Sequence, residues 1–466
     1  MSGDPDPTAP VGGGRHKKPT GFLCVDSPII LSTNKIRGMT ASFMKILVIG
    51  SGGREHALVK TLLRSPSASF VACSPGNAGI AHDVPCPALA TTQAILDYCT
   101  AEQMDLVIIG PEQPLVDGLA DRLREVGIAV FGPSAKGAQI EASKDFTKQL
   151  CDRYHIPTAR YATFTDKRAA LDYVAQHGAP IVVKADGLAA GKGVTVAMDM
   201  DAALQAVHEC FDGAFGEAGS RVVLEEFLEG EELSFFALCD GKRAVAFASA
   251  QDHKRAFDGD TGPNTGGMGT YSPTPAASEA LHAQIMREMI EPTAHGLASE
   301  GIPYIGVFFA GLMLTKDGPK LIEYNARFGD PETQVMLARF TGDLAALLHS
   351  CAIGKLDAQH MQFSTEAAVC VVMAANGYPG SYAKGTPIRG LNEACHHADI
   401  LHAGTIEQEG QWLANGGRVL NVVASAADFQ TARAKAYRAV DAIDWPDGFC
   451  RRDIGWRALQ SSDCML

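Results

Sequence analysis

The chain reads as an α/β protein of several domains, with an N-terminal doubly wound parallel-sheet domain, a glycine-loop-rich central region and a small C-terminal α/β domain. Three observations predict this. Short apolar strands alternate with amphipathic helices from Met44 to about residue 144, the pattern of a parallel sheet with crossover helices. Glycine turns stand at the strand ends, where such sheets bind ligands. Finally, 466 residues, 46% hydrophobic and 20% charged, can bury several cores, and roughly 150 residues per domain suggests about three. The expected division is an extension over 1–43, a substrate-binding domain over 44–144, a central domain over 145–340 and a C-terminal domain over 341–466.

Composition excludes several classes. A formal net charge of −13 argues against sequence-independent nucleic-acid binding and against an anionic membrane surface, so an anionic substrate must be caught by local Lys and Arg. The 12 cysteines include no C-x-x-C pair and no Cys/His ligand spacing, which points away from zinc and from a disulfide framework and toward a reducing cytoplasm. No uninterrupted run of 18 apolar residues occurs. The leader is rich in Pro, Gly and Lys, and its apolar piece Phe22 to Leu31 is broken by Asp26 and Pro28. It is a poor secretory segment, and its acidic residues sit badly with a transit peptide. We expect a disordered extension, with an upstream start ahead of Met44 as one explanation.

The first strand, Lys45 to Ile49, runs into Gly50-Ser51-Gly52-Gly53 and then a helix from about Arg54 to Arg64. The dinucleotide fingerprint G-x-G-x-x-G fails here, because Glu55 stands where its last glycine belongs and no acidic residue follows the second strand, Phe70 to Cys73. Backbone amides at a helix N-terminus still suit a monophosphate, so Gly52 and Gly53 are candidate contacts. Strands follow at Asp105 to Ile109 and Ile128 to Phe131. Glu112, in the turn Gly110-Pro111-Glu112, can present a carboxylate to the same pocket; a plain turn is the alternative.

A second unit begins near Ser143-Lys144, with Ser143 a plausible helix cap. Pro180 to Val194 is a strand carrying Lys184, a loop with Gly187, Gly191 and Gly193, and a second strand. It is not a Walker loop, since strands rather than a helix follow; it reads as a hairpin that covers phosphates, with Lys184 as a point charge. Val222 to Leu224 then leads into Glu225-Glu226-Phe227-Leu228-Glu229-Gly230-Glu231-Glu232. A solvated acidic loop would explain this segment; in a nucleotide site its backbone around Glu226 to Leu228 would meet adenine and Glu232 the ribose.

Gln251 to Arg255 and Asp258 to Gly269 are too polar and glycine-rich for a core element and read as a shaped loop serving a site. In Leu321 to Glu332, strand alternation aims Glu323, Asn325 and Arg327 one way. A carboxylate and an amide oxygen are hard ligands suited to Mg²⁺, which completes its shell with phosphate oxygens and water, and Arg327 adds a fork for phosphate or carboxylate. Alone, this pattern could be the solvated face of an edge strand. After about residue 340, strands at Ala367 to Met373 and Arg418 to Val423 and a helix near Asp428 to Val440 suggest a small cap. His253, His396, His397 and His402 are assigned no catalytic role.

A lysine near a helix start, a lysine before a glycine-rich hairpin, a Glu-rich hinge and a terminal Glu-x-Asn resemble, in that order, the ATP-grasp fold. The resemblance makes Lys144 and Lys184 the phosphate lysines, Glu225 to Leu228 the adenine hinge, Glu232 the ribose carboxylate, and Glu323 with Asn325 the ligands of Mg²⁺ or Mn²⁺. Gly52 to Leu58, Lys184 to Gly193, Gln251 to Gly269, Asn325 to Glu332, Gly377 to Gly380 and Arg451 to Gly455 together resemble the phosphoribosylamine-glycine ligase family. Only the leader and Ala256-Phe257 depart from its motif set.

That resemblance implies an enzyme of purine biosynthesis that uses ATP, glycine and 5-phosphoribosylamine, with Arg327 and Lys184 catalytic. It further implies that Asp258 is a candidate for the glycine ammonium, with a purely structural turn there as the alternative, that Asn264 and Gly266 lie in the loop closing over glycine, and that Gly52, Gly53 and Glu112 bind phosphoribosylamine. The chain's end soon after Arg452 implies a monofunctional enzyme. We expect a cytoplasmic monomer in transient contact with the enzyme that makes phosphoribosylamine. The rivals are a carboxylating or formylating ATP-grasp enzyme of the purine pathway and a nucleotide-binding module without turnover.

Overall fold

The computed structural model describes residues 43–188 and 193–463, so all but the last residue of the expected extension, and Gly191 of the expected phosphate loop, lie outside the described residues. Strand Met44–Gly50 takes the middle of a four-stranded parallel sheet, with Ala68–Pro75 on one side and Leu106–Ile109 then Ala129–Phe131 on the other. Its residues are almost wholly apolar because helices cover both faces, as a parallel sheet requires. Helix Gly53–Leu63 starts directly after the first strand, so its N-terminal amides open at the sheet's C-terminal edge.

Two further sheets build the rest. Tyr161–Phe164, Val222–Glu226, Ile181–Ala185 and Val194–Ala197 form an antiparallel lobe in that order. Helices Lys167–His177 and Met200–Glu209 pack on it around a core of their own, including Val174, Val183, Val207 and Leu224. The largest sheet begins with Gly318–Asn325, Ile305–Thr315, Glu231–Asp240, Ala244–Asp252 and Gly269–Ser272. It continues without a break into Ala367–Ala375, Arg418–Ala426 and Asp399–His402. The C-terminal segment therefore shares hydrogen-bonded backbone with the central region, and one core joins Ile46 and Val48 to Phe236, Val335 and Cys370.

Two expectations change. Gln251 and Asp252 end a strand of the large sheet, while Arg255–Phe257 and Thr261–Asn264 pair as a small antiparallel hairpin, so the polar loop is more regular than its composition implied. Backbone pairing tolerates polar side chains where these point into a cleft rather than a core. Glu231 and Glu232 are likewise strand residues instead of an acidic loop.

Candidate active site

A cleft lies between the antiparallel lobe and the large sheet. A cavity of about 250 Å³ is bounded by Lys184, the turn from Glu225 to Leu228, Glu232, Asn264 and Glu323. Lys184 projects from strand Ile181–Ala185, its Nζ donating to the Ile322 carbonyl at 3.2 Å and lying 2.7 Å from Glu225 Oε1. Lys148 meets the other Glu225 oxygen at 2.9 Å. Burial acts to raise the Glu225 pKa, but Lys184 and Lys148 overcome it and hold the carboxyl below its usual range. The Glu225 side chain is thus an anchor for two lysines, and only its backbone can serve the expected hinge. Lys148 was missed, although its four-residue spacing from Lys144 on helix Lys144–Tyr154 was a usable signal.

Lys144 sits at that helix's first turn behind the Ser143 cap, donates to the Gly187 carbonyl at 3.0 Å, and has its pKa lowered by burial. Asp186 faces the same helix start, accepting from Ser143 Oγ at 3.1 Å and from the Asp145 amide at 3.2 Å. Gly187 has φ of +130°, and a Cβ there would stand 2.8 Å from the Ala218 Cβ, so only glycine fits. Gly193 accepts from the Ala185 amide and closes the hairpin. Glu226 binds Arg160 at 2.7 Å and Lys320 at 3.3 Å, bracing the hinge from outside.

A second cavity, of about 390 Å³, shares Glu323, Asp252, Lys254 and Thr265 with the first and adds Asn325, Arg327, Glu112 and Gly266. The expected face is present, with one change: the strand ends at Asn325, and Arg327 reaches the cavity from the bend beyond it. Ion pairs to Glu141 at 3.0 Å and Glu112 at 3.6 Å hold it there, over the Phe309 ring. Burial opposes the Arg327 charge, yet Glu141 and Glu112 raise its pKa above the ordinary value. Glu323 and Asn325 converge on a site of hard oxygens with phosphate-sized space beside it, a donor set that fits Mg²⁺. Among the described residues no cluster of three or more His, Cys, Asp or Glu offers a closed metal cage.

The third cavity, about 430 Å³, opens on the first glycine turn and includes Gly50, Ser51, Gly52, Arg54 and Asp330. The missing fingerprint glycine has a physical explanation. Glu55 folds back to accept from the Gly52 amide at 2.6 Å and from Arg54 Nε at 2.6 Å. A Cβ at Gly110 would stand 1.9 Å from its Oε1, so this turn is shaped around the Glu55 carboxylate.

Several expected substrate residues also have structural partners of their own. Gly53 is turned into the interior, where a Cβ would stand 2.2 Å from Asn421 Nδ2, so close packing requires a glycine there, while its backbone opens the helix Gly53–Leu63. Asn264 lines the cavity that holds Lys184 and Glu232 and not the one that holds Arg327. Asp258 borders neither of these cavities; its Oδ1 accepts from the Arg452 amide at 2.8 Å. Its hairpin is tied down by buried Arg451, which pairs with Asp260 at 2.8 Å and Asp453 at 2.7 Å. Sequence reasoning also missed Glu141 and Arg418, for which no motif spacing gave a signal, and it placed Asp252 and Lys254 in a segment serving a site without giving either a role.

A lysine-bearing hairpin lobe closing on a sheet that carries Glu323 and Asn325 defines the ATP-grasp class, and residues 142–333 match Phosphoribosylglycinamide synthetase, ATP-grasp (A) domain. Residues 44–141 match the N domain of the same synthetase and residues 368–457 its C domain. The chain belongs to the phosphoribosylglycinamide synthetase family. It is 54% identical to a phosphoribosylamine-glycine ligase of Agrobacterium fabrum over 89% of this chain and 99% of that one. A chloroplastic phosphoribosylamine-glycine ligase of Arabidopsis thaliana is 53% identical over 87% of this chain and 79% of its own length. The crystal structure of the Thermotoga maritima phosphoribosylamine-glycine ligase superposes with a TM-score of 0.78 at 31% identity, covering 88% of this chain and all of that one, 100%.

Proposed function

We infer that the chain joins glycine to 5-phosphoribosylamine at the expense of ATP, giving glycinamide ribonucleotide, ADP and phosphate in de novo purine (IMP) biosynthesis. The observation that carries this reading is the shared wall of Glu323, Asp252 and Lys254 between the nucleotide cleft and the Arg327 cavity, which lets an acid and a γ-phosphate meet. A glycine carboxylate is a poor acyl donor. Its oxygen attacks the γ-phosphorus, ADP departs, and the resulting glycyl phosphate is attacked at carbon by the ribosylamine nitrogen, releasing phosphate as the amine loses a proton. No covalent enzyme nucleophile is needed, so positioning and charge stabilisation supply the catalysis.

Backbone groups from Glu226 to Leu228 would hold adenine, and Glu232 the ribose. Lys144, Lys184 and the amides near Gly187 would hold phosphates, with Glu225 orienting Lys184. Arg327 would stabilise the transferring phosphoryl group or the glycine carboxylate, and Glu112 orients it. The Gly52 turn and the following helix N-terminus would receive the phosphate of phosphoribosylamine. Glu323 and Asn325 would hold Mg²⁺ or Mn²⁺, which when bound neutralises β- and γ-phosphate charge. We assign the enzyme to the cytoplasm as a monomer; no helix among the described residues is long and apolar enough to cross a membrane.

The test is ADP release by the purified chain with Mg-ATP and freshly generated phosphoribosylamine, offering glycine, bicarbonate or formate. ADP formed only with glycine supports the ligase. Replacement of glycine by bicarbonate or formate would move the chain to the carboxylating or formylating reactions, and no ADP with any acid would leave a nucleotide-binding module.

A further inference from the structure

We propose that the hinge of the antiparallel lobe carries a second ligand site, on the side away from the nucleotide cleft, which takes a nucleoside monophosphate and through it modulates the affinity for ATP. This site rests on the reading above only through the placement of ATP in the cleft. A cavity of about 800 Å³, within the range of small-molecule sites, opens between Arg160, Tyr173, His177, the segment Glu226 to Gly230 and Lys320. Residues 225–228 line both this cavity and the nucleotide cleft, and no other residue does. Strand alternation tells the two sides apart. In Ile181–Ala185, Ile181 joins the core beneath helices Lys167–His177 and Met200–Glu209 and borders the new cavity, while Val182 and Lys184 border the cleft.

Position gives the site its leverage. Residues 161–226 supply every strand of the lobe as one continuous segment, so the chain enters it at Arg160 and leaves it at Phe227. Both crossings line this cavity. The entry is fixed to the strand that carries Glu323 and Asn325: Thr158 Oγ1 donates to the Leu321 carbonyl at 2.7 Å, and the Leu321 amide donates to the Pro157 carbonyl at 2.8 Å. The exit runs so close to strand Ile305–Thr315 that a Cβ at Gly230 would stand 2.2 Å from the Leu314 carbonyl oxygen. Between them, Glu226 accepts from the Arg160 amide at 3.0 Å and from its Nε at 2.7 Å, and lies 3.3 Å from Lys320. An occupant bears on both crossings and on this bridge between lobe and sheet. Its binding and that of ATP are therefore coupled, each changing the other's affinity by the same factor.

The lining selects the ligand. Tyr173 and His177 stack at 3.7 Å with their planes 19° apart, and His177 is exposed, so a flat base can extend the stack. Donation from His177 Nδ1 to the Tyr173 carbonyl at 2.9 Å holds the ring in place. Lys316 makes no hydrogen bond or ion pair among the described residues, and with Arg160 and Lys320 it offers cations to a phosphate. Glu229 and Asp317 line the same cavity, so a single phosphate suits it and a triphosphate is repelled. None of Tyr173, His177 and Lys316 borders the nucleotide cleft or the Arg327 cavity.

The probe is inosine monophosphate, titrated by calorimetry into the full-length chain with the cleft saturated by Mg²⁺ and a non-hydrolysable ATP analogue. One equivalent should still bind. His177→Ala should weaken it by about tenfold, the scale of one stacked ring, and Lys316→Ala by about threefold, the scale of one exposed charge pair. Neither change should alter the Kd of the analogue measured alone. In wild-type protein a saturating level of inosine monophosphate should shift the Kd of the analogue by about fivefold or more to a plateau, and the double variant should need about thirtyfold more of it for the same shift. A Kd for the analogue that rises without a plateau places both ligands in the cleft and overturns the site, as does binding that both variants leave unchanged. Inosine or inorganic phosphate binding as tightly as the monophosphate overturns the ligand class. An analogue that does not bind at all sinks the placement of ATP instead, while inosine monophosphate binding that His177→Ala weakens would keep the site.

Discussion

Lys184 Nζ and Glu225 Oε1 lie 2.7 Å apart in the interior of the hairpin lobe, and the same carboxylate also holds Lys148. One buried anion thus serves two buried cations. Glu225→Ala leaves both ammonium groups without that partner and should destabilise the fold by ~3–5 kcal/mol, measured by urea denaturation. Glu225→Gln should cost less and raise the KM for ATP, since Lys184 loses its orienting charge. An ATP KM that stays at the wild-type value would separate Lys184 from phosphate binding.

Glu323→Ala removes one of two proposed metal ligands from a half-buried strand position, where Lys144 feels the Glu323 charge but no neighbouring side chain forms an ion pair with it among the described residues, so the core packing is untouched. Turnover should fall by about 100-fold or more with the melting temperature little changed. Near-normal kcat in a Mg²⁺ titration would defeat the metal assignment.

Gly110→Ala would place a methyl group 1.9 Å from Glu55 Oε1, forcing the carboxylate off the Gly52 amide. A misplaced glycine turn should raise the KM for phosphoribosylamine by about tenfold or more and leave the KM for ATP unchanged. Equal changes in both would locate the phosphoribosylamine site elsewhere.

Arg451 is fully buried between Asp260 and Asp453 and donates to the Arg255 carbonyl at 3.1 Å. Arg451→Met should free the hairpin Arg255–Asn264, costing ~2–4 kcal/mol and exposing the bonds after Lys254 and Arg255 to trypsin. Limited proteolysis followed by mass analysis reads the result; an uncut hairpin means that Arg457 and the Gly259 amide contact hold it without Arg451.

His253 and His402 set an acid limit. Burial, with Arg451 next, pushes the His253 pKa down to about 4; burial, with His56 next, pushes His402 down to about 3. In both, folding favours the neutral ring, so their contribution is fully present above about 6.5, the unfolded histidine value, and is lost as pH falls toward these folded values. Neutral His253 is also what the contacts require, since its Nε2 accepts from the Gly455 amide at 3.1 Å. Denaturation at stepped pH should show stability falling from about pH 6.5 toward 4 by roughly 1.4 kcal/mol per unit for each histidine, and His402→Asn should flatten the slope.

Much of the site was legible because its chemistry is local in sequence. The first glycine turn, Lys184 before its hairpin, and Glu323 with Asn325 all declare themselves through strand period and glycine spacing within a few residues. Asp258 shows where that ends: an acidic residue in a glycine-rich loop looks free to bind an ammonium until Arg452, 194 residues away, supplies an amide for it. Lys148 was partly legible, through its helical spacing from Lys144.

The sequence by itself determined the α/β class, the parallel opening sheet, the family, and the residue types that handle phosphate, because apolar periodicity and short-range motifs dictate these. Only the tertiary structure decided which charges are spent and which are spare. Glu225, Glu141, Asp252 and Arg451 lie in ordinary strands, helices and tails, and their roles arise when segments far apart in the chain are desolvated together. Burial makes each pairing costly to leave incomplete, and that cost depends on three-dimensional neighbours that no local pattern records.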